Sequence, residues 1–182
     1  MNQWTSKWTW IKGHAPWVAE TIDYRSLAMV REDFNDQDQL GRWRSWGFSP
    51  RTGAMFDMRN ENQPPMTQKL IDYVTAQGFS NIGVSYYRMD PGDNLPYHSD
   101  TYTRYIELHN LEDKKQNIVR FIFFPENRFA GHIFEVAGKL FDWRAGDWIA
   151  WKYDTPHMAA NLGNAPRYTI QVTGVLNEDI KQ

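Results

Sequence analysis

The chain has 182 residues, no cysteine and a formal net charge of −2. Its length suits one domain, residues 1–182, with a substantial core, and its charge balance excludes general binding to nucleic acid or membrane surfaces. The lack of cysteine excludes disulfides and cysteine-ligated zinc or iron–sulfur centres. No apolar stretch reaches the roughly 20 residues that span a bilayer. The first residues carry no apolar leader region, so a cytoplasmic location is expected.

Residues 1–60 are rich in Trp and Arg and show no clean periodicity. Glu20 to Val30 reads as a helix or a strand. Arg42-Trp-Arg-Ser-Trp46 and Arg51 to Arg59 read as loops or short strands. Pro64-Pro65 opens a helix that runs to about Gln77, since proline is tolerated in the first turn and Gly78 is a good stop. Met66, Leu70 and Val74 give that helix a buried stripe.

From Asn81 the pattern changes to strands. Ile82 to Met89 is rich in Tyr and Val, and Asp90-Pro-Gly-Asp93 is a turn. Residues 107–116 are charged and read as an exposed loop near the site. Ile118 to Phe124 is a strongly apolar strand. Ile133 to Val136 and Lys139 to Trp143 flank Ala137-Gly138 as a hairpin, and Trp148 to Trp151 follows Gly146-Asp147. Asn161 to Pro166 reads as a turn that reverses the chain and sets His157 opposite Arg167. In the last strand, Arg167, Thr169, Gln171 and Thr173 share one face, and Tyr168, Ile170 and Val172 the other. Short strands at this spacing predict a mainly β fold with flanking helices, a barrel or jelly roll. The Trp, Tyr and Phe content fits the core of such a sheet protein.

The chemistry gathers at His98-Ser-Asp100, His157 and Arg167. Residues two apart in extended chain point to one side, so His98 and Asp100 converge. With His157 they make two histidines and one carboxylate. That set occupies one face of an octahedral ion, leaves positions open, and is the signature of non-haem Fe(II) oxygenases. Arg167 supplies a fixed cation for a dicarboxylate cosubstrate. His14, His109 and His132 have no partner at ligand spacing and read as ordinary hydrogen-bonded or exposed histidines. Arg120, on an apolar strand, needs a partner: a cosubstrate or a carboxylate such as Glu135. Tyr86 or Tyr87 is placed either in the core or toward the cosubstrate. Asn161 either orients the open side of the metal or caps its turn. Ser99 and Asp147 read as structural.

Two stretches carry a resemblance. Met89-Asp-Pro-Gly-Asp-Asn-Leu-Pro-Tyr-His98-Ser-Asp100, and His157-Met-Ala-Ala-Asn161 followed by Arg167, resemble Fe(II)/2-oxoglutarate-dependent oxygenases. Within them the likeness is to the aspartyl/asparaginyl β-hydroxylase group. It covers about residues 80–176. Some members of that group lack the acidic ligand, which is present here as Asp100. The resemblance implies a cupin-like double-stranded β-helix over residues 81–176, with residues 1–80 as a helical or irregular flank. It implies Fe(II) on His98, Asp100 and His157, 2-oxoglutarate on Arg167 and Thr169, and O2 as cosubstrate, giving succinate and CO2. The implied substrate is a protein Asp, Asn or Pro side chain, a free amino acid or a small metabolite. Arg42, Arg44, Arg51, Arg59 and Arg104 are candidates to meet an acidic one. The rival readings are a metal-free cupin-like module for sugar or peptide and an iron oxygenase that does not use 2-oxoglutarate.

Overall fold

Alternation in the last strand sets the layout. The computed structural model describes residues 4, 7–19, 24–58 and 63–177. Strand β11 (Arg167–Leu176) turns Ile170 and Val172 to one side and its polar row to the other. It lies at the centre of a seven-stranded antiparallel sheet. Its neighbours there are β4 (Phe79–Met89) and β6 (Ile118–Phe123). Beyond β6 come β9 (Asp147–Lys152) and β1 (Trp10–His14); beyond β4 come β3 (Ala54–Met58) and β2 (Val30–Asp33). A four-stranded sheet faces it, ordered β5 (Asn94–His98), β10 (His157–Asn161), β7 (His132–Val136) and β8 (Lys139–Leu140).

Among the described residues, the two larger of three buried clusters lie one on each face of the large sheet. Helix α2 (Met66–Thr75) lays Met66, Leu70 and Val74 on Val84, Phe121, Ile170 and Val172, as the sequence predicts. The other core lies between the sheets, where Ile122, Ile149 and Trp151 meet Leu95, Phe134, Val136 and Ala159. Strand β6 serves both cores and is buried at every residue, which explains its unbroken apolar run.

The N-terminal region is more regular than its sequence promises. Residues 42–46, expected as loop or strand, belong mostly to helix α1 (Gln37–Ser45). The Asp36 side chain caps it by accepting from the Gln39 amide, and Leu40 and Trp43 are its buried face. Only two of its residues are buried, so periodicity could not reveal it. Residues 20–30 form neither one helix nor one strand where described: a short 3₁₀ turn (Tyr24–Ser26) precedes β2, and Glu20 lies outside the described residues. Arg59 lies outside them as well. The segment expected as a charged loop near residues 107–116 is helix α3 (Thr103–His109) followed by a 3₁₀ turn (Glu112–Asn117). No helix among the described residues is long and apolar enough to cross a membrane.

Candidate metal centre

His98 and His157 are a directly opposed pair between β5 and β10. Opposed residues of an antiparallel pair point to the same face. An irregularity makes the pairing possible. Ala159 opposes Leu95 and Ala160 opposes Asn94, and the register then shifts before His157. One extra residue on β5 absorbs the shift: Leu95 and His98 are both buried although three apart, while Tyr97 is 46% exposed. Without this bulge Tyr97 would oppose His157, and His98 would turn outward.

Asp100 lies two residues beyond the strand and completes the group. Ligand atoms of His98, Asp100 and His157 lie within 4.8 Å of one another. Asp100 Oδ1 is 3.6 Å from His98 Nε2, and its Oδ2 is 3.9 Å from His157 Nε2. These separations are too long for hydrogen bonds and suit donors arranged around one ion. The far sides of both rings are fixed. His98 Nδ1 donates to the Pro96 carbonyl at 2.7 Å, and His157 Nδ1 to that of Thr155 at 3.0 Å. A carbonyl can only accept, so Nδ1 carries the proton and the Nε2 lone pair is free for a metal.

Charge favours the same state. Burial lowers the His157 pKa to about 4 against the pull of Asp100, so its ring is neutral near pH 7, as a ligand must be. Burial pushes the Asp100 carboxyl up, but Arg120, His157 and His98 outweigh it and hold it well below the usual carboxylate range. Arg120 Nη2 sits 2.9 Å from Asp100 Oδ2. Its guanidinium also lies over the Tyr102 ring, 4.7 Å from the centroid. Burial opposes the Arg120 charge, yet Tyr102 and Asp100 raise its pKa overall. Aromatic rings pack on the imidazoles: Phe34 at 4.9 Å and Trp43 at 5.6 Å from His98, and Trp151 at 4.8 Å from His157.

The triad opens into a cavity of about 110 Å³ that Arg120, Tyr87 and Gln171 also line. Tyr86 faces the opposite way into the core, where its hydroxyl meets that of Thr67 at 2.9 Å. Arg167 and Thr169 are buried but do not line this cavity. The reversal at Leu162 is present, yet β10 and β11 enter different sheets, so His157 and Arg167 are not hairpin partners. Arg167 Nη1 instead donates to the Ile133 carbonyl at 2.7 Å. Ile133 opposes Ala160, three residues along β10 from His157, or about 10 Å away. Arg167 Nε has no hydrogen-bond partner among the described residues, and burial lowers the guanidinium pKa to about 10.

Other expectations change. Arg120 pairs with Asp100 rather than Glu135, because it faces the His98, Asp100 and His157 cluster while Glu135 lies on the outer side of β7. Asn161 takes the turn-capping role: its amide nitrogen donates to the Met89 and Ala165 carbonyls, each at 2.8 Å, and its oxygen accepts from the Gly163 amide. The candidate arginines serve structure. Arg42 binds Gln39, Arg44 binds the Ser49 and Pro50 carbonyls, and Arg51 binds Asp93. Neither they nor Arg104 line the cavity. Sequence reasoning missed Tyr102, Trp43 and the acidic cavity residues Glu32, Asp33 and Asp57. Trp43 alone had a readable signal, in the Asp36-x-x-Gln39 cap before its helix.

No protein-family model matches the chain, and no curated protein matches it in sequence. Solved structures do match in shape. A Pseudomonas putida prolyl-4-hydroxylase superposes at TM-score 0.52 and 12% identity, over 85% of this chain and 96% of that one. A predicted oxalate decarboxylase from Thermotoga maritima gives 0.47 and 12%, over 86% and 99%. A double-stranded β-helix protein from Klebsiella pneumoniae gives 0.37 and 17%, over 54% and 72%. The fold is a double-stranded β-helix, two antiparallel sheets with few helices, and is shared with that prolyl-4-hydroxylase.

Proposed function

We propose that this chain is an Fe(II)- and 2-oxoglutarate-dependent oxygenase. It hydroxylates an amino-acid side chain or a small metabolite, in the manner of the aspartyl/asparaginyl β-hydroxylases that its two motifs resemble. The observation that carries the reading is the convergence of His98, Asp100 and His157 with both Nδ1 atoms already committed to carbonyls. Two imidazoles and one carboxylate on one side of an ion leave the other side open. Arg167 narrows the class. A buried guanidinium with an unfilled donor is a place for an anion. A five-carbon dicarboxylate held at the triad by one end reaches a cation about 10 Å along the sheet. The fold shared with a prolyl-4-hydroxylase supports the reading.

Bound iron and 2-oxoglutarate would supply the oxidising power: one oxygen atom of O2 would enter a substrate C–H bond as hydroxyl, and the other would enter the succinate formed as 2-oxoglutarate loses CO2. The chain's residues position these partners. The Pro96 and Thr155 carbonyls aim the imidazoles. Arg120 holds Asp100 Oδ2 and leaves Oδ1 toward His98. Arg167 grips the distal carboxylate with a planar fork that Lys would reproduce poorly, and Thr169, two residues on along the same face, adds a hydroxyl. Phe34, Trp43 and Trp151 wall the imidazoles from solvent.

The test is succinate formation by anaerobically purified protein supplied with Fe(II), 2-oxoglutarate and then air, beside Fe(II) and 2-oxoglutarate binding by calorimetry. His157→Ala abolishes metal binding, and Arg167→Ala abolishes 2-oxoglutarate binding while sparing the metal. Absence of Fe(II) binding by the native chain would overturn the reading and promote the metal-free module. Fe(II) binding without any 2-oxoglutarate binding would promote the iron oxygenase that uses another oxidant.

A further inference from the structure

Asp100 sits in the short connection between β5 and α3, outside any strand. Contacts other than sheet pairing must therefore fix its carboxylate. Two residues on, Tyr102 has φ 55° and ψ 18°, in the left-handed region. A side chain is crowded there, so glycine is the usual occupant, asparagine and aspartate are tolerated, and a bulky tyrosine is an outlier. Such a backbone persists where its surroundings hold it. Here they do: Tyr102 is 8% exposed and belongs to the third buried cluster, with Ile106, Leu111, Ile118 and Val175.

The left-handed turn folds the side chain back toward the carboxylate it follows. The Tyr102 ring centroid lies 4.7 Å from the Arg120 guanidinium carbon, and its hydroxyl accepts from Arg120 Nε at a long 3.4 Å. Arg120 Nη2 in turn holds Asp100 Oδ2 at 2.9 Å. Asp100, Arg120 and Tyr102 thus close a circuit of contacts that begins and ends in one short stretch of chain. Further contacts reach the loop that carries the other imidazole. The Tyr102 ring is 5.8 Å from that of Tyr153, and Ser99 Oγ donates to the Asp154 carbonyl at 3.2 Å. That loop leads into His157, whose Nδ1 is fixed by the Thr155 carbonyl. Tyr102 itself does not line the cavity, so its effect on an ion there passes through Arg120.

Resting on the oxygenase reading, we infer that Tyr102 is a positioning residue of the metal centre: its ring clamps Arg120 and so fixes the carboxylate of Asp100. The left-handed backbone is what places the ring there. A buried guanidinium drawn to a ring face is held in one orientation, and the carboxylate it grips is held with it. The hydroxyl contact is long, so the ring carries the role.

The test is Mn(II) binding by the whole chain, followed through the EPR signal of free Mn(II), which needs neither turnover nor 2-oxoglutarate. Tyr102→Phe keeps the ring and loses only a long hydrogen bond, so its affinity stays within about twofold of the native chain. Tyr102→Leu loses the ring and binds Mn(II) about tenfold or more weakly. Ile106→Val, in the same cluster, lowers stability and leaves the Mn(II) affinity unchanged, which separates positioning from packing. Should Tyr102→Leu fail to fold, Tyr102→Asn replaces it throughout, because asparagine accepts the left-handed backbone and lacks the ring. A double variant reads the route of the effect. Arg120→Ala with Tyr102→Leu binds Mn(II) no more weakly than Arg120→Ala alone, because the ring acts through the guanidinium. Full multiplication of the two losses, an unmoved affinity in Tyr102→Leu, or a Phe variant as weak as the Leu variant overturns the inference while the metal centre stands. A native chain that binds neither Mn(II) nor Fe(II) removes the metal centre and the inference together.

Discussion

Asp100 divides its two oxygens between two tasks. Oδ2 lies 2.9 Å from the Arg120 guanidinium, while Oδ1 lies nearer His98 Nε2, at 3.6 Å. A carboxylate held at one oxygen cannot swing, so the other stays where an ion would meet it. Arg120 would therefore take part in the proposed metal site without touching the metal. Arg120→Ala is expected to weaken Fe(II) or Mn(II) binding by about 10- to 100-fold, measured by anaerobic titration. Arg120→Lys restores the charge but not the planar fork and falls between the two. Unchanged affinity in Arg120→Ala would show that Asp100 is held by other contacts.

Arg167 gives a prediction about stability as well as binding. Its guanidinium is buried and bonds a carbonyl, with Nε unfilled and no carboxylate within ion-pair distance among the described residues. Replacing a buried, uncompensated charge by an apolar side chain of similar length is often neutral or stabilising. Arg167→Met should leave the ligand-free protein at least as stable as the native chain. With metal present, 2-oxoglutarate at about 100 times its Kd stabilises the native protein by about 2.7 kcal/mol, and that gain disappears in the variant. Chemical denaturation with and without 2-oxoglutarate checks both halves. A loss of about 3–5 kcal/mol in the ligand-free variant would instead mark Arg167 as one partner of a buried ion pair.

The two cores separate stability from metal binding. Trp43 is fully buried and packs on the His98 ring, whereas Leu70 is fully buried on the far face of the large sheet. Trp43→Ala costs about 3–5 kcal/mol and Leu70→Ala about 2–5 kcal/mol. Only the first should also weaken metal binding, because only it frees His98 to tilt. Equal metal affinities in the two variants would show that Trp43 does not position the ligand.

His132 sets part of the acid limit. Burial lowers its pKa below the ordinary value, against its hydrogen bond to the Ala165 carbonyl. The unfolded chain therefore binds more protons than the folded one in the window below about pH 6.5. The contribution to stability is full above that pH and is lost as pH falls toward the folded pKa. His132→Gln removes this proton linkage, so its stability falls less steeply than that of the native chain as pH drops below about 6.5. Parallel slopes for the two proteins would refute the assignment.

What the sequence revealed depended on the range over which each signal acts. The polar row Arg167, Thr169, Gln171 and Thr173 was legible because strand alternation is written into neighbouring residues. Met66, Leu70 and Val74 were legible for the same reason at helical spacing. Helix α1 had no such periodicity, since Leu40 and Trp43 are its only buried residues, and was legible only through its Asp36 cap. The corner between β10 and β11 was also hidden. A turn sequence shows that the chain reverses, and says nothing of which sheet the next strand joins. Asp57 was hidden for a third reason: its meaning comes from Tyr87 and Gln171, brought beside it by sheet pairing far along the chain.

The bulge in β5 makes the ion a gauge of strand alignment. His98 and His157 meet only when β5 and β10 are paired with the one-residue offset in place. A slip of one position presents Tyr97 to His157 and removes a ligand. Correct alignment and full coordination are thus a single event, and a bound ion would reject chains that have closed the barrel one residue out of step.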